Sequence, residues 1–334
     1  MRSLKYVLFA SAVALLSTGS SVNSEPVKIR LSWVAPLSNW GSIILEKKDL
    51  AKHFGKSYIL EPIRFQGTPP IVTALANGEV EIADLAFSTL AIAIQNAGID
   101  DLRVISDEFQ DGVTGYHSNE FNVLSDGPIK KIEDLKGKVI ATNAISSAVD
   151  ISSRAMLKKH GLEDKRDYTV IEAPFPTMKA MLSEKKVDLI PAVLPFSLDP
   201  ELKKISKPLF SSKDALGRTQ FIVWSARKSF LDKNRAAMVD LMEDTLVILR
   251  WFIDPKNQKD AAEVAGRVLK APPERFSWIF TKQDYFRDPN MLPDLDALQS
   301  NLDTTANLGF VKSKIDIKKY SDLSIVQEAA KRLK

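Results

Sequence analysis

Two stretches of this chain read alike. ALANGEVEIADLAF (residues 74–87) and MLSEKKVDLIPAVL (residues 181–194) each run from a helix end through a turn and an acidic residue into an apolar strand. A chain that repeats this passage is confined to alternating β and α units, which bury a mainly parallel sheet between crossover helices. The repeat is weak, and it implies two lobes of similar construction. The 334 residues suffice to give each lobe its own core.

Reading along the chain fills in that plan. VKIRLSW (27–33) alternates as a strand does, and the loop VAPLSNWG leads to an amphipathic helix expected from about Ser42 to His53, stopped by Gly55. YILEPIRF is a second strand. QGTPP opens a helix running to Asn77, its prolines suited to a first turn. EIADLAF is a third strand, Ser88-Thr89 opens the next helix, and LRVIS is a fourth strand. The pattern breaks at Asp111–Asn119, DGVTGYHSN, which reads as a crossover between lobes. It restarts with FNVLS, the helix-forming IEDLKG, the strand KVIAT, a helix from Ser146 to Gly161, the strand DYTVIEA, a helix over PTMKAMLSEKK and the strand VDLIPAV. After TQFIVWSA (219–226) the chain is mostly helix. The stripe Met238, Leu241, Met242, Leu246, Ile248, Leu249 and Phe252 is read as core, as are Trp251, Trp278 and Phe280.

Within KVIATNAISSAVDISSRAML (138–157) the helix is expected to open at Ser146-Ser147. A serine pair at a helix start presents hydroxyls and free backbone N–H groups at the positive end of the helix dipole, a cradle for an anion. An ordinary N-cap that touches nothing else is the alternative.

Residues 1–24 have the layout of a secretory signal peptide. Arg2 and Lys5 precede the apolar run Tyr6 to Leu16, and small and polar residues follow up to Val22-Asn23-Ser24, with cleavage expected after Ser24. The run is too short to span a bilayer comfortably. Removing two basic and no acidic residues lowers the net charge from +4 to about +2 (4 − 2), which argues against nucleic acid as a partner. The chain has no cysteine, which excludes disulfides, thiol nucleophiles and a lipid anchor on cysteine. Export to a bacterial periplasm as a soluble protein is the expectation.

The residues give no catalytic constellation. Cysteine metal ligands are missing, and no G-x-S-x-G elbow, P-loop or G-x-G-x-x-G occurs. His53 and His160 sit near helix C-termini, where a basic ring suits the dipole. His117, in the crossover, is the one histidine to watch.

At KIEDLKGKVIAT…SSA the chain resembles the nitrate/sulfonate/taurine family of periplasmic solute-binding proteins, which also includes thiamine-precursor binders and serves ABC importers. LSWVAPLSNWGSIILEKKDLAKHF, FQGTPPIVTALANGEVEIADLAFS and QFIVWSARKSFL resemble the family's first ligand loop, its second-strand turn and its return to lobe 1. The resemblance implies a type II fold of two α/β lobes joined by two hinge crossovers, near residues 111–119 and 215–222. Lobe 1 would comprise residues 25–113 and 223–334, and lobe 2 residues 114–222. It further implies a small-molecule ligand in the cleft, no cofactor or metal, a monomer, and an inner-membrane permease with its cytoplasmic ATPase as partner.

Carried over by motif, the ligand positions are Trp33, Ser38, Asn39 and Trp40 after the first strand, then Gln66, Gly67 and Thr68, then Phe87, Ser88 and Thr89. In lobe 2 they are Asn143, Ser146 and Ser147, with Pro174, Phe175, Pro195 and Phe196. All lie at C-terminal ends of strands, where open α/β sheets place ligands. Many relatives carry glycine where this chain has Ala144-Ile145. No arginine falls on a matched position, although Arg64 and Arg154 are close in sequence. The aromatic residues suit a ligand with an apolar or aromatic body, and the implied ligand is a sulfonate-like or aromatic-carboxylate anion. A neutral thiamine-precursor pyrimidine is the alternative. An enzyme on this fold is a further one, disfavoured by the missing cysteines and, for cytosolic dehydratases, by the signal segment.

Overall fold

The computed structural model describes residues 25–333, so the expected signal segment lies outside the described residues. The strands are β1 (Val27–Trp33), β2 (Tyr58–Arg64), β3 (Ala83–Ala86), β4 (Leu102–Asp111), β5 (Glu120–Leu124), β6 (Lys138–Thr142), β7 (Tyr168–Glu172), β8 (Ile190–Ala192), β9 (Ser206–Ser211) and β10 (Thr219–Arg227). The helices that frame the cleft are α1 (Thr68–Ala76), α2 (Phe87–Gln95), α3 (Ala148–Lys159) and α4 (Phe175–Ser183).

The strands form two sheets of matching plan. In the first, β2 and β1 pair in parallel, Leu31 bridges Ile82 just before β3, and β10 runs antiparallel between β3 and β4, giving the order β2-β1-β3-β10-β4. In the second, β7 and β6 pair in parallel, Ile140 bridges Leu189 just before β8, and β5 runs antiparallel between β8 and β9, giving β7-β6-β8-β5-β9. Each sheet is mainly parallel with one antiparallel strand, and the two echoing sequence stretches feed β3 and β8. The fold is thus the expected two-lobed α/β fold. β10, which the sequence reading divides at residue 222, pairs with β4 from Thr219 onward and lies wholly in the first sheet.

Several local expectations are corrected. Residues 42–53 do not form an α-helix: the chain makes 3-10 turns at Trp40–Ser42 and Ile44–Leu50, kinked at Lys47. IEDL is likewise 3-10. The third strand ends at Ala86, so Phe87 already lies in α2. Strand β9 went unread, because Pro208 in SKPLFS looks like a loop residue. At the outer edge of a sheet, a missing N–H costs no ladder bond. The stripe from Met238 to Phe252 is buried as expected, within a helix spanning Arg235–Ile253. Trp278 and Phe280 are buried too, whereas Trp251 is half-buried beneath the Lys47 ammonium, 4.4 Å from its ring centre.

One continuous hydrophobic core takes in most buried side chains of both lobes, and a smaller cluster lies under α4 in the second. Two crossovers connect the lobes, residues 112–119 and the short Gly217-Arg218 link before β10. Asp111 organises the first. Its carboxylate accepts from the Asn119 N–H at 3.0 Å, the Asn119 side-chain amide at 2.8 Å and the Ser118 hydroxyl at 2.5 Å.

Candidate functional site

The cleft is closed by direct hydrogen bonds between the lobes. Ser38 Oγ donates to the Leu194 carbonyl at 2.7 Å, Ser88 Oγ to the Ser146 carbonyl at 2.7 Å, and the Asn143 side-chain amide to the Gln66 carbonyl at 3.3 Å. Gly67 lies so close to Asn143 and Ala144 that a Cβ there would come 2.9 Å from the Ala144 Cβ. Behind this seam is a cavity of about 50 Å³.

Its walls come from both sheets. Lobe 1 supplies the loop after β1 (Val34, Ala35, Ser38, Asn39) and Thr68 at the start of α1. Lobe 2 supplies Asn143, the first turn of α3 and Leu194. Phe109 forms an aromatic wall, stacked on Tyr285 at 4.4 Å and on Phe221 at 5.6 Å. No charged residue lines the cavity.

Three features fix its polar end. Ser147 is the N-cap of α3, and its hydroxyl donates to Asn143 Oδ1 at 2.9 Å. Ala148 and Val149 follow in the cavity wall, and the N–H groups of a helix's first turn have no carbonyl within their own helix. Thr68 is 4% exposed, yet its Oγ1 has no hydrogen-bond partner. A buried hydroxyl without a partner costs about 1–3 kcal/mol, so this one is poised to bond a cavity occupant. Ser146 stands outside this set: it has a left-handed φ of 71°, and its N–H is taken by the Asp150 carboxylate at 2.8 Å. Arg154 points away from the cavity into Asp150 and Asp164, at 2.8 and 2.6 Å.

The loop after β1 is held from behind. Asn39 Oδ1 accepts from Ala35 N at 2.8 Å, while its amide donates to Asp84 and to Glu108, both at 2.8 Å. Burial pushes the pKa values of both carboxyls up, and that of Asp84 rises further against the Glu108 charge. Asn39 therefore spends its oxygen on the loop and its amide on the carboxyls of β3 and β4. Arg287, paired with Asp284 at 2.8 Å, braces the same loop by donating to the Ser38 carbonyl at 2.9 Å.

The structure thus brings Ser38, Asn39, Thr68, Asn143, Ser147 and Phe175 to this cavity. A second chamber of about 280 Å³ lies beside it, sharing Val34, Ala35 and Phe175, and takes in Gln66, Pro174, Phe196 and Arg64. The other motif-matched positions are elsewhere. Trp40 is fully buried and stacks on Trp224 at 5.7 Å, and Phe87 is fully buried edge-on to Phe221. Thr89 Oγ1 bonds the Ala86 carbonyl, and Trp33 lies under the Arg64 guanidinium. Ser88, Ser146 and Gly67 belong to the seam, and Pro195 lines neither chamber. His117 also lines neither: it is half-buried edge-on to Tyr285 at 5.2 Å, and desolvation pushes its pKa down to about 4.

Sequence reasoning missed Phe109, Phe221 and Tyr285. The first two sit at strand ends next to the crossovers, and that position was the available signal. Tyr285 belongs to no strand and arrives from the C-terminal third of the chain.

Two mirrored α/β sheets, two short crossovers and a cavity walled by both lobes define a two-lobed solute-binding protein fold. The NMT1-like family model matches residues 22–266, and the chain belongs to that family. Solved structures with this fold include the alkanesulfonate-binding protein SsuA from Xanthomonas axonopodis pv. citri bound to MOPS, at 17% identity and TM-score 0.69, covering 90% of this chain and 99% of that one. The periplasmic nitrate-binding protein NrtA from Synechocystis PCC 6803 matches at 15% identity and TM-score 0.71, covering 93% and 90%. The desulfurization enzyme DSZB matches at 12% identity and TM-score 0.64, covering 92% and 100%. Comparison with curated protein sequences gives no match.

Proposed function

We propose that this protein is the periplasmic substrate-binding component of an ABC importer, capturing a small organic anion between its lobes and delivering it to a membrane permease. The observation that carries the reading is the convergence of the unpartnered Thr68 hydroxyl and the first-turn amides of α3 on one cavity walled by both lobes. The amides can only donate, the hydroxyl can donate as well as accept, and the helix end adds partial positive charge, so together they match an oxyanion rather than a cation. The apolar remainder, with Phe109, Phe221 and Phe175, suits an apolar or aromatic body. Sulfonate and nitrate are the ligands named for the SsuA and NrtA structures, and a sulfonate-like or aromatic-carboxylate anion is proposed here.

The lobes are proposed to divide within residues 112–119 and at Gly217-Arg218, with binding and release driven by rotation about those links. Export by the N-terminal segment and action as a monomer complete the proposal. No helix among the described residues is long and apolar enough to cross a membrane. Native mass spectrometry of protein recovered from a periplasmic fraction tests the reading. A chain beginning near Glu25 and carrying a releasable organic anion is expected. A full-length, membrane-held chain, or a neutral pyrimidine as the bound species, overturns it.

A further inference from the structure

The inner cavity is too small for a whole organic ligand. A water-sized probe needs about 10–15 Å³, so about 50 Å³ holds an oxyanion head and little more. For the body that such a head carries, the neighbouring space is the second chamber, which shares Val34, Ala35 and Phe175 with the inner cavity and offers about 280 Å³. Phe175 and Phe196 stack at 6.0 Å and 26° there, an apolar flank for a chain or ring.

The outer chamber also has a charge, which the inner one lacks. Arg64, at the end of β2, is its one charged lining residue. No carboxylate among the described residues pairs with it, and its guanidinium lies 5.3 Å from the Trp33 ring centre. Stacking on an aromatic face orients the planar donor fork without using its N–H groups. Arg64 is exposed, so those donors are hydrated in the free protein and open to a ligand.

We infer that the ligand is an elongated organic dianion, its first acid group at the start of α3 and its second on Arg64. This rests on the anion site proposed above and adds to it the far end of the molecule. An α,ω-disulfonate, a sulfocarboxylate or a dicarboxylate has the required form.

The test is calorimetric titration of the mature protein with a homologous series of alkanesulfonates and with the α,ω-disulfonates of the same chain lengths. The disulfonate that spans the two chambers should bind about tenfold tighter than its monosulfonate, the gain expected of one charge-assisted contact. Arg64→Met should erase that gain, with the monosulfonate as the reference, and Arg64→Lys should keep part of it. Equal affinities for the two series at every length, or an equal loss for both in Arg64→Met, overturns the second site. Thr68→Val separates the two readings, since it should weaken both series. If it weakens neither, or if neither the sulfonates nor the carboxylates of the same chain lengths bind, the anion site itself fails whatever Arg64 does.

Discussion

Gly112 and Gly217 meet where the two crossovers pass each other, and a Cβ on Gly112 would lie 2.5 Å from the Gly217 carbonyl oxygen. Both have left-handed φ, 74° and 73°. Gly112→Ala therefore carries two penalties, the left-handed backbone cost of about 1–2 kcal/mol and a clash with main chain that cannot swing aside. Gly115 has φ 85° with nothing near its Cβ position, so Gly115→Ala carries the first cost alone. Urea unfolding should show Gly112→Ala losing at least about 2 kcal/mol more than Gly115→Ala. Equal losses would mean that the crossovers do not pack as described.

Thr68→Val replaces the unpartnered hydroxyl with a methyl of similar size. In ligand-free protein it removes a buried polar atom that bonds nothing, so the melting temperature should hold or rise. Anion affinity should fall by about tenfold, the worth of one hydrogen bond to a charged group. A lower melting temperature with unchanged affinity would mark Thr68 as structural.

Ser38 and Ser88 each bond a carbonyl of the opposite lobe. In the double variant Ser38→Ala, Ser88→Ala, the closed form loses about 1 kcal/mol per bond. Small-angle scattering of ligand-free protein should give a larger radius of gyration for the variant than for the wild type. An unchanged radius would show that closure does not depend on this seam.

Stability should fall as pH rises from about 5 to 7.5. Burial pushes the pKa of Asp107 up to about 7 and that of Asp111 up to about 6, and raises those of Asp84 and Glu108. A carboxyl with a raised folded pKa binds more protons folded than unfolded. Its contribution is therefore fully present at low pH and is lost as pH rises through the folded value. His117, pushed down to about 4, acts in the opposite direction below its ordinary pKa, and the carboxyls with raised values outnumber it. Unfolding free energy measured by urea across this range should decline by about 1 kcal/mol or more. A rise would mean that these carboxyls stay ionised in the fold.

The β-α alternation was legible because strands and helices differ in period, and that alone led to two lobes. β9 hid behind Pro208, which is harmless at a sheet edge, and the turns of residues 40–50 carry a helical pattern that the kink at Lys47 breaks. The site was half legible. Thr68, Asn143 and Ser147 follow strand ends, positions that local pattern can identify. Trp40 and Phe87 lie at similar positions but turn into the core, a choice made by packing against Trp224 and Phe221. Phe109 and Phe221 become neighbours only because β4 and β10 pair, with Ile222 opposite Phe109, across a large separation in sequence. No local pattern carries such a pairing.

The proposed selection of an anion by donors from both lobes can be measured by thermal-shift titration with matched ligand pairs. Each alkanesulfonate is compared with the sulfonamide of the same chain, which keeps the shape and removes the charge. Ligand at a hundred times its dissociation constant adds about 2.7 kcal/mol of stability. The melting temperature should rise with the sulfonates and change little or not at all with the sulfonamides. Equal shifts for both members of each pair, or a larger shift with the neutral one, would mean that the cavity does not select an anion.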